Sequence, residues 1–136
     1  MTLKDVQIIN LPKIIDERGN LSFIEGGIHI PFKIKRTYWI YDVPGGEKRG
    51  GHAYHTLNEF IVALSGSFDV VLDDGNEKHV YSLNRSYNGI YVPQMIWRSL
   101  ENFSTNSLCM ILASGKYDAE DYIMEYDEFQ LMKKNE

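Results

Sequence analysis

Turn signals recur about every 8 to 12 residues along most of this 136-residue chain, and this spacing is its strongest structural constraint. Gly26-Gly27, the proline- and glycine-containing stretch 42–48, and Asp73-Asp74-Gly75-Asn76 each separate runs rich in β-branched and aromatic residues. The aspartate-glycine turn at 73–76 is also a strong hairpin signal. Short strands at this spacing predict an all-β sandwich or barrel.

The predicted strands share short apolar or alternating patterns that end at glycine, proline or polar turns. In the first strand, Asn10 and Pro12 interrupt the apolar residues, which predicts a bent or edge strand because proline cannot donate to a ladder. The aromatic and β-branched residues of 34–41 favour a strand packed on both faces. The predicted strands cover 6–15, 21–25, 34–41, 59–65, 67–72, 79–83, 89–93, 95–100 and 107–113.

The C-terminal residues have a different pattern. Asp118 resembles a helix N-cap followed by acids in the first turn, where the helix dipole favours negative charge. Four apolar or aromatic residues then follow at helical spacing: Tyr122, Ile123, Tyr126 and Phe129. We expect one or two short helices within about 120–132, packed on the barrel. The chain is predicted to be a single domain, 1–136, with a C-terminal helical segment over about 118–132.

Composition excludes several classes of protein. A chain that is 43% hydrophobic can bury a core, and its net charge of -5 argues against nucleic-acid or anionic-membrane partners. Cys109 is the only cysteine and stands in an apolar run, which predicts a buried structural thiol. Residues 1–5 lack the apolar core of a signal peptide, and no apolar run is long enough to span a bilayer. We therefore expect a cytoplasmic protein.

Two segments resemble the sequence motifs of cupins. His52, Tyr54, Glu59 and the glycine at position 66 match the first motif, except that a tyrosine stands where a second histidine is usual. Gly89, Pro93, Arg98 and Asn102 resemble the second motif, with arginine in place of its histidine. This resemblance implies a double-stranded β-helix, or jelly roll, with a pocket inside the barrel.

The substitutions in these motifs predict that the pocket binds no metal. Only His52 and Glu59 remain from the usual set of three histidines and a glutamate. A tyrosine phenol is a poor ligand at neutral pH, and the Arg98 guanidinium has no lone pair to offer. His55 is not a replacement, because on a strand it points away from the face that carries Tyr54.

A closer resemblance covers most of the chain. Its segments are 13–19, 34–38, 49–53, 71–75, 91–93 and 112–123. Together they resemble the nucleotide-linked 4-oxo-6-deoxyglucose 3,4-ketoisomerases. Membership would imply a metal-free homodimer with exchanged N-terminal strands and no cofactor. It would also imply a dTDP-linked substrate, used to make deoxyamino sugars for bacterial surface polysaccharide.

The resemblance, taken with acid/base chemistry, assigns roles to three catalytic residues. Moving a ketone from C4 to C3 requires a base near neutral pKa, and His52 is predicted to be that base. Tyr54 replaces the second histidine of the family pattern and is predicted to relay protons, while Arg98 stabilises the enolate oxygen. In the family the residue at 98 and the region of Arg18 are associated with product stereochemistry, so both the galacto and the gluco product stay open.

The predicted substrate-binding residues complete the set. Bidentate cations suit a diphosphate, and Tyr38 and Tyr91 are expected to line the sugar or base site. The plainer interpretations are that Tyr54 fills the core, that Glu59 satisfies its neighbours, and that the arginines form ion pairs. An epimerase of a related keto sugar and a non-catalytic nucleotide-sugar-binding cupin remain alternatives. The predicted substrate-binding residues are Arg18, Arg36, Tyr38, Arg49, Glu59, Tyr91 and Asn102.

Overall fold

The computed structural model describes residues 1–136, and twelve short strands provide most of its regular structure. One α-helix, α1, follows near the C-terminus, and two 3-10 turns lie at Leu3–Asp5 and Ala119–Asp121. No helix is both long and apolar enough to cross a bilayer. The strands are β1 Gln7–Asn10, β2 Lys13–Ile14, β3 Leu21–Ser22, β4 Arg36–Ile40, β5 Arg49–Tyr54, β6 Glu59–Ser65, β7 Phe68–Asp73, β8 Lys78–Leu83, β9 Asn88–Val92, β10 Trp97–Glu101, β11 Leu108–Ala113 and β12 Tyr122–Ile123, and α1 is Tyr126–Lys134.

Two five-stranded antiparallel sheets face each other across the main core. The first has the strand order β1-β9-β6-β11-β4, and the second has the order β12-β5-β10-β7-β8. Strands β2 and β3 form a separate two-stranded ribbon near the N-terminus. The main core joins residues of both sheets, among them Ile61, Ile90 and Ile111 from the first and Val70, Leu72 and Leu100 from the second. The predicted all-β jelly roll is confirmed.

Strand alternation places the two faces of the first sheet. On β6, Glu59, Ile61 and Ala63 point inward, whereas Phe60 and Val62 belong to a second apolar cluster on the outer face. On β4 the outward residue Trp39 is 58% exposed. The prediction that this strand is packed on both faces is therefore wrong for the single chain, since only the face of Tyr38 and Ile40 packs on the main core.

The C-terminal segment differs from the predicted helix. Asp118 does cap a turn, because its side chain accepts a hydrogen bond from the Glu120 backbone N–H. Tyr122 and Ile123, however, form strand β12, which pairs with Tyr54 and Ala53 at the edge of the second sheet. The α-helix starts only at Tyr126. Pairing with an open strand edge overrides the helical spacing of the side chains here.

Cys109 is fully buried in the main core, as expected. Burial raises the pKa of its thiol to about 12. The thiol is therefore protonated at neutral pH, which agrees with a structural role.

Candidate active site

The neighbouring strands β5 and β10 form one wall of a cavity at the end of the barrel. In their antiparallel pairing, His52 lies directly opposite Arg98. The cavity has a volume of about 440 Å³. Its walls combine cationic, aromatic and a few aliphatic side chains, which suits a polar organic ligand better than an apolar one. The lining residues are Tyr38, Ile40, Lys48, Arg49, Gly50, His52, Tyr54, Arg98, Leu100 and Tyr122.

His52 and Tyr54 form a hydrogen-bonded pair inside this cavity. Residues 52 and 54 project from the same face of β5, and His52 Nε2 lies 3.0 Å from the Tyr54 hydroxyl. Tyr122 on β12 contacts both rings, with centroid distances of 5.1 Å to His52 and 4.7 Å to Tyr54. The predicted base and the predicted relay are therefore in direct contact, with a third aromatic residue beside them.

Arg98 is held by a second polar group behind the cavity wall. Its guanidinium forms a salt bridge with Glu59, and the two side chains are only 2% and 1% exposed. Tyr38 joins them, because its hydroxyl donates to Glu59 Oε2 at 2.6 Å and accepts from Arg98 Nη2 at 3.2 Å. Glu59 thus compensates the buried charge of Arg98 and orients it. The prediction that Glu59 touches substrate is replaced by a supporting position behind Arg98 and Tyr38, since Glu59 does not line the cavity.

Burial and positive charge determine the protonation state of the pair. Burial, followed by the charge of Arg98, lowers the pKa of His52 to about 3. Burial raises the pKa of Tyr54 well above its ordinary value, although Arg98 opposes this shift. At neutral pH the imidazole is neutral and the phenol is protonated, so one of the two donates the hydrogen bond and the imidazole tautomer sets which.

The mouth of the cavity is cationic. Arg49 lines it as predicted, and Lys48 stands beside it with its Nζ 3.1 Å from Glu101. Arg36 lies next to the cavity, on the same face of β4 as Tyr38, and its guanidinium lies 5.1 Å from the Tyr38 ring centroid. Three cations around one opening favour an anionic ligand group such as a diphosphate.

Besides Glu59 and Arg36, three further predicted residues lie outside this cavity. Arg18 sits in the turn between β2 and β3, 90% exposed, and pairs with Asp16 at 2.8 Å. Tyr91 points to the outer face of the first sheet, where its ring lies 6.1 Å from that of Phe32. Asn102 is exposed after β10 and donates to Asp69 at 3.2 Å. The structure does not bring these three side chains to His52.

The donor set around His52 does not resemble a metal centre. Glu59 is occupied by Arg98 and Tyr38, and no group of three histidine, cysteine or acidic side chains comes together in the chain. His55 is exposed and lies just past the end of β5, where its backbone N–H donates to the Asp121 carbonyl oxygen. His55 therefore stays outside the cavity, because the strand ends at Tyr54.

Comparison with known proteins assigns the chain to a family. A family model described as WxcM-like, C-terminal, matches residues 4–134. The chain belongs to the WxcM-like C-terminal family. A curated relative from Aneurinibacillus thermoaerophilus, a TDP-4-oxo-6-deoxy-alpha-D-glucose-3,4-oxoisomerase, is 45% identical over 124 residues, which are 91% of this chain and 89% of the relative.

Solved structures of the same kind superpose closely. The TDP-quinovose 3,4-ketoisomerase of Campylobacter jejuni is 41% identical, with a TM-score of 0.90 over 94% of this chain and 98% of the other. A histidine-to-asparagine variant of a 3,4-ketoisomerase from Thermoanaerobacterium thermosaccharolyticum, in complex with TDP-4-keto-6-deoxyglucose, is 34% identical. Its TM-score is 0.94 over 96% of this chain and 95% of the other. The jelly-roll cupin architecture of this WxcM-like chain is thus shared with sugar ketoisomerases.

Five lining residues were not among the predicted site residues: Ile40, Gly50 and Leu100, and the polar residues Lys48 and Tyr122. The spacing of the C-terminal residues predicts a helix at Tyr122, and its place beside Tyr54 follows from a strand pairing that the sequence pattern does not reveal. Lys48 precedes Arg49 in the same loop, and the positions of both cations could have been predicted together.

Proposed function

We propose that this protein is an isomerase that moves the keto group of a dTDP-4-oxo-6-deoxyhexose from C4 to C3, without a metal or cofactor. One observation carries the proposal: the neutral His52 is hydrogen-bonded to Tyr54 and lies opposite Arg98 inside a single cavity. The 3,4-oxoisomerase named above, 45% identical, supports the same reaction. The pathway it would serve is the synthesis of deoxyamino sugars for surface polysaccharide.

The reaction needs three proton transfers, from C3, between the C3 and C4 oxygens, and to C4, and no net oxidation. His52 removes the C3 proton, the C3–H electron pair forms the C3–C4 double bond, and the C4 carbonyl electrons move to its oxygen. In the resulting enediolate a proton moves from the C3 hydroxyl to the C4 oxygen, a carbonyl forms at C3, and C4 takes up a proton in place of the one that C3 lost. Tyr54 is placed to pass a proton between a substrate oxygen and His52, because a phenol both donates and accepts hydrogen bonds.

Arg98 supplies the positive charge that the enediolate needs. Arg98 lines the cavity, and its buried guanidinium lies 5.6 Å from the ring centroid of Tyr54. Because the guanidinium is hardly exposed to water, its charge acts more strongly on a nearby oxyanion than it would in solvent. A metal ion commonly stabilises such an oxyanion, and here a fixed arginine takes that place. Because Glu59 and Tyr38 hold the guanidinium in position, it needs no rearrangement when negative charge develops.

Substrate binding is assigned to the cations at the mouth. Arg49 and Arg36 carry planar guanidinium groups that match phosphate oxygens, and the cavity opens beside them. The sugar then occupies the inner part, between Tyr38 and the His52–Tyr54 pair. Tyr91 and Asn102 have no part in this arrangement because they lie on other faces of the barrel.

We also infer that two copies of the chain form a homodimer by exchanging N-terminal strands. The β2–β3 ribbon exposes Ile14, Ile15 and Leu21, and an apolar groove of about 390 Å³ lies on the outer face of the first sheet. Exposed apolar surface of this extent favours a protein partner. Arg18 lies in the turn of this ribbon, so exchange would move Arg18 onto the partner subunit. A contact between Arg18 and substrate therefore depends on the dimer.

Incubation with dTDP-4-oxo-6-deoxyglucose in deuterated water tests the activity. We expect NMR to show deuterium at C4 and a 3-oxo product. If the sugar binds without exchange or product, isomerisation is rejected and the non-catalytic binding protein is favoured. Exchange with inversion, but no 3-oxo product, would instead indicate an epimerase.

Two asparagine substitutions supply the matched control. His52→Asn should lower kcat about 10²- to 10⁴-fold while substrate still binds, because it removes the base. His55→Asn, at an exposed position three residues further along the chain, should leave kcat unchanged. Equal activity of His52→Asn and the unmodified protein would contradict the assignment of His52.

A further inference from the structure

Tyr122 completes a closed group of three aromatic rings. The centroid distances are 4.9 Å for His52–Tyr54, 5.1 Å for His52–Tyr122 and 4.7 Å for Tyr54–Tyr122. Each ring therefore contacts the other two. None of the three can turn toward the others without displacing a neighbour, although all three also border the cavity.

The residues on either side of Tyr122 are held firmly. The Asp121 carboxylate accepts hydrogen bonds from the backbone N–H groups of Thr56 and Leu57 and from the Thr56 hydroxyl. Ile123 is 2% exposed and packs with Ala53 and Phe129. Asp121 on one side and Ile123 on the other thus fix the backbone of Tyr122, and its contacts with the rings of His52 and Tyr54 restrain its side chain.

The imidazole of His52 has little other support. Its one hydrogen bond within the protein is to Tyr54, and the ladder of β5 and β10 fixes its backbone but not the rotation of its ring. The contact with Tyr122 is therefore a main restraint on the direction in which His52 Nε2 points.

We propose that Tyr122 is a positioning residue of this active site: its ring holds the His52 imidazole against the Tyr54 hydroxyl and keeps water away from it. The inference rests on the proposed isomerisation, for which the orientation of His52 matters. A base displaced by about 1 Å can cost about 10²-fold in rate.

The groups that face His52 are cationic or phenolic. They are Arg98 from β10, Tyr38 from β4, Tyr54 from β5 itself, Tyr122 from β12, and Lys48 and Arg49 at the mouth. The nearby carboxylate of Glu59 is bound by Arg98. If water enters beside His52, part of the burial that keeps the imidazole neutral is lost, and its pKa rises toward the ordinary value.

Two substitutions distinguish the contribution of the Tyr122 ring to kcat from that of its hydroxyl. Tyr122→Leu should lower kcat by at least about tenfold with a smaller change in KM, because the base is misplaced but the diphosphate contacts remain. Tyr122→Phe keeps the ring and should stay within about threefold of the unmodified kcat. If Tyr122→Leu does not fold, Tyr122→Met, which fills more of the space, takes its place.

A second measurement reports on His52 directly. NMR titration of the imidazole should show a higher pKa in Tyr122→Leu than in the unmodified protein. Tyr126→Phe is the matched control, because Tyr126 lies on the same C-terminal segment but its hydroxyl donates to Asp73 at 2.6 Å, away from the cavity. It should change neither kcat nor the His52 titration.

Several results would overturn the proposal. An unchanged kcat and His52 titration in Tyr122→Leu would exclude a positioning role. If Tyr122→Phe lowers kcat as much as Tyr122→Leu does, the effect belongs to the hydroxyl and not to the ring. If the unmodified protein catalyses no isomerisation, the proposed function fails, but the His52 titration still tests whether Tyr122 positions the imidazole.

Discussion

Tyr54 is the single residue that most distinguishes this site from the family pattern. It stands where a second histidine is common, yet it lines the cavity and its hydroxyl contacts His52 Nε2 at 3.0 Å. The interpretation of Tyr54 as core filler is therefore incomplete, because its hydroxyl is part of the polar wall although the residue is only 4% exposed. A protonated phenol here is suited to relay a proton.

Removing the Tyr54 hydroxyl tests this role. Tyr54→Phe should lower kcat about 10²-fold or more, because it deletes the relay while the ring packing remains. Tyr54→His restores a group that can both donate and accept, so it should lose much less activity. Steady-state assays of both variants, with binding measured separately, check the prediction. Equal kcat for Tyr54→Phe and the unmodified protein would exclude the relay.

The pKa of His52, about 3, is lower than the near-neutral value expected of the base, and it predicts an unusual pH profile. A base with a pKa of about 3 is already neutral above pH 4, so kcat/KM should show no acid limb near the ordinary histidine pKa of 6.5. Rates measured between pH 5 and 8 test this. A limb centred near 6.5 that His52→Asn abolishes would contradict it.

The same shift affects stability. Between pH 3 and 6.5 the unfolded chain binds a proton at His52 that the folded chain does not. Stability should therefore fall as pH decreases through this window. His52→Asn should reduce that slope in denaturant titrations. An identical slope in both proteins would show that His52 titrates normally when folded.

At the residue scale, motif positions predicted much of the site. His52, Tyr54, Arg98, Tyr38 and Arg49 all line the cavity. For His52 and Tyr54 the physical reason is that residues two apart on a strand share a face, and Arg98 joins them because it lies opposite His52 on β10.

Tyr91 shows where motif position is not sufficient. Ile90 and Val92 beside it are buried in the main core, so strand alternation turns Tyr91 outward. The same rule of alternation that was applied to His55 would have excluded it. Asn102 follows the last residue of β10 with φ +57°, and its position depends on a turn geometry that the sequence pattern does not specify.

At the scale of elements, the C-terminal segment shows why local pattern was misleading. The Asp118 cap was predicted correctly, and the apolar spacing from Tyr122 to Phe129 was real. Yet Tyr122 and Ile123 reach their neighbours as a strand, because β5 leaves its edge open at Ala53 and Tyr54. Only tertiary pairing decides between helix and strand for these two residues, and the strand brings Tyr122 into the active site.

The contact between β9 and β6 explains the glycine of the second motif. A Cβ added at Gly89 would lie 2.5 Å from the Ile61 carbonyl oxygen and still closer to the Phe60 ring. Gly89→Ala should therefore lower the free energy of unfolding by about 1–3 kcal/mol, because strands and ring must move apart. Denaturant unfolding measures this loss.

Gly45 supplies the comparison for this prediction. A Cβ at Gly45 meets nothing within 4 Å, so Gly45→Ala should change stability by no more than about 0.5 kcal/mol. Equal stability of the two alanine variants would show that the β9–β6 contact adjusts without cost.

At the scale of the whole molecule, the outer face of the first sheet combines exposed apolar residues with an apolar groove. The outer face of the first sheet carries Trp39 at 58% and Leu64 at 40% exposure, next to the groove lined by Phe23, Ile24 and Met110. The sequence suggested a strand buried on both faces at 34–41, and a partner over this face would account for that composition. The composition of a strand indicates that both of its faces are buried, but not whether the same chain or a partner chain covers them.

A charge placed in this groove tests the proposed homodimer. Leu64→Glu should convert the protein to a monomer, because a carboxylate buried without a partner costs several kcal/mol. Light scattering coupled to size exclusion should then show half the mass of the unmodified protein. Val80→Glu, at a 58% exposed position on the outer face of the second sheet, should leave the mass unchanged. If Leu64→Glu keeps the mass of the dimer, the interface lies elsewhere. If the unmodified protein has the mass of a monomer, the strand exchange is rejected, and so is the substrate contact of Arg18 that depends on it.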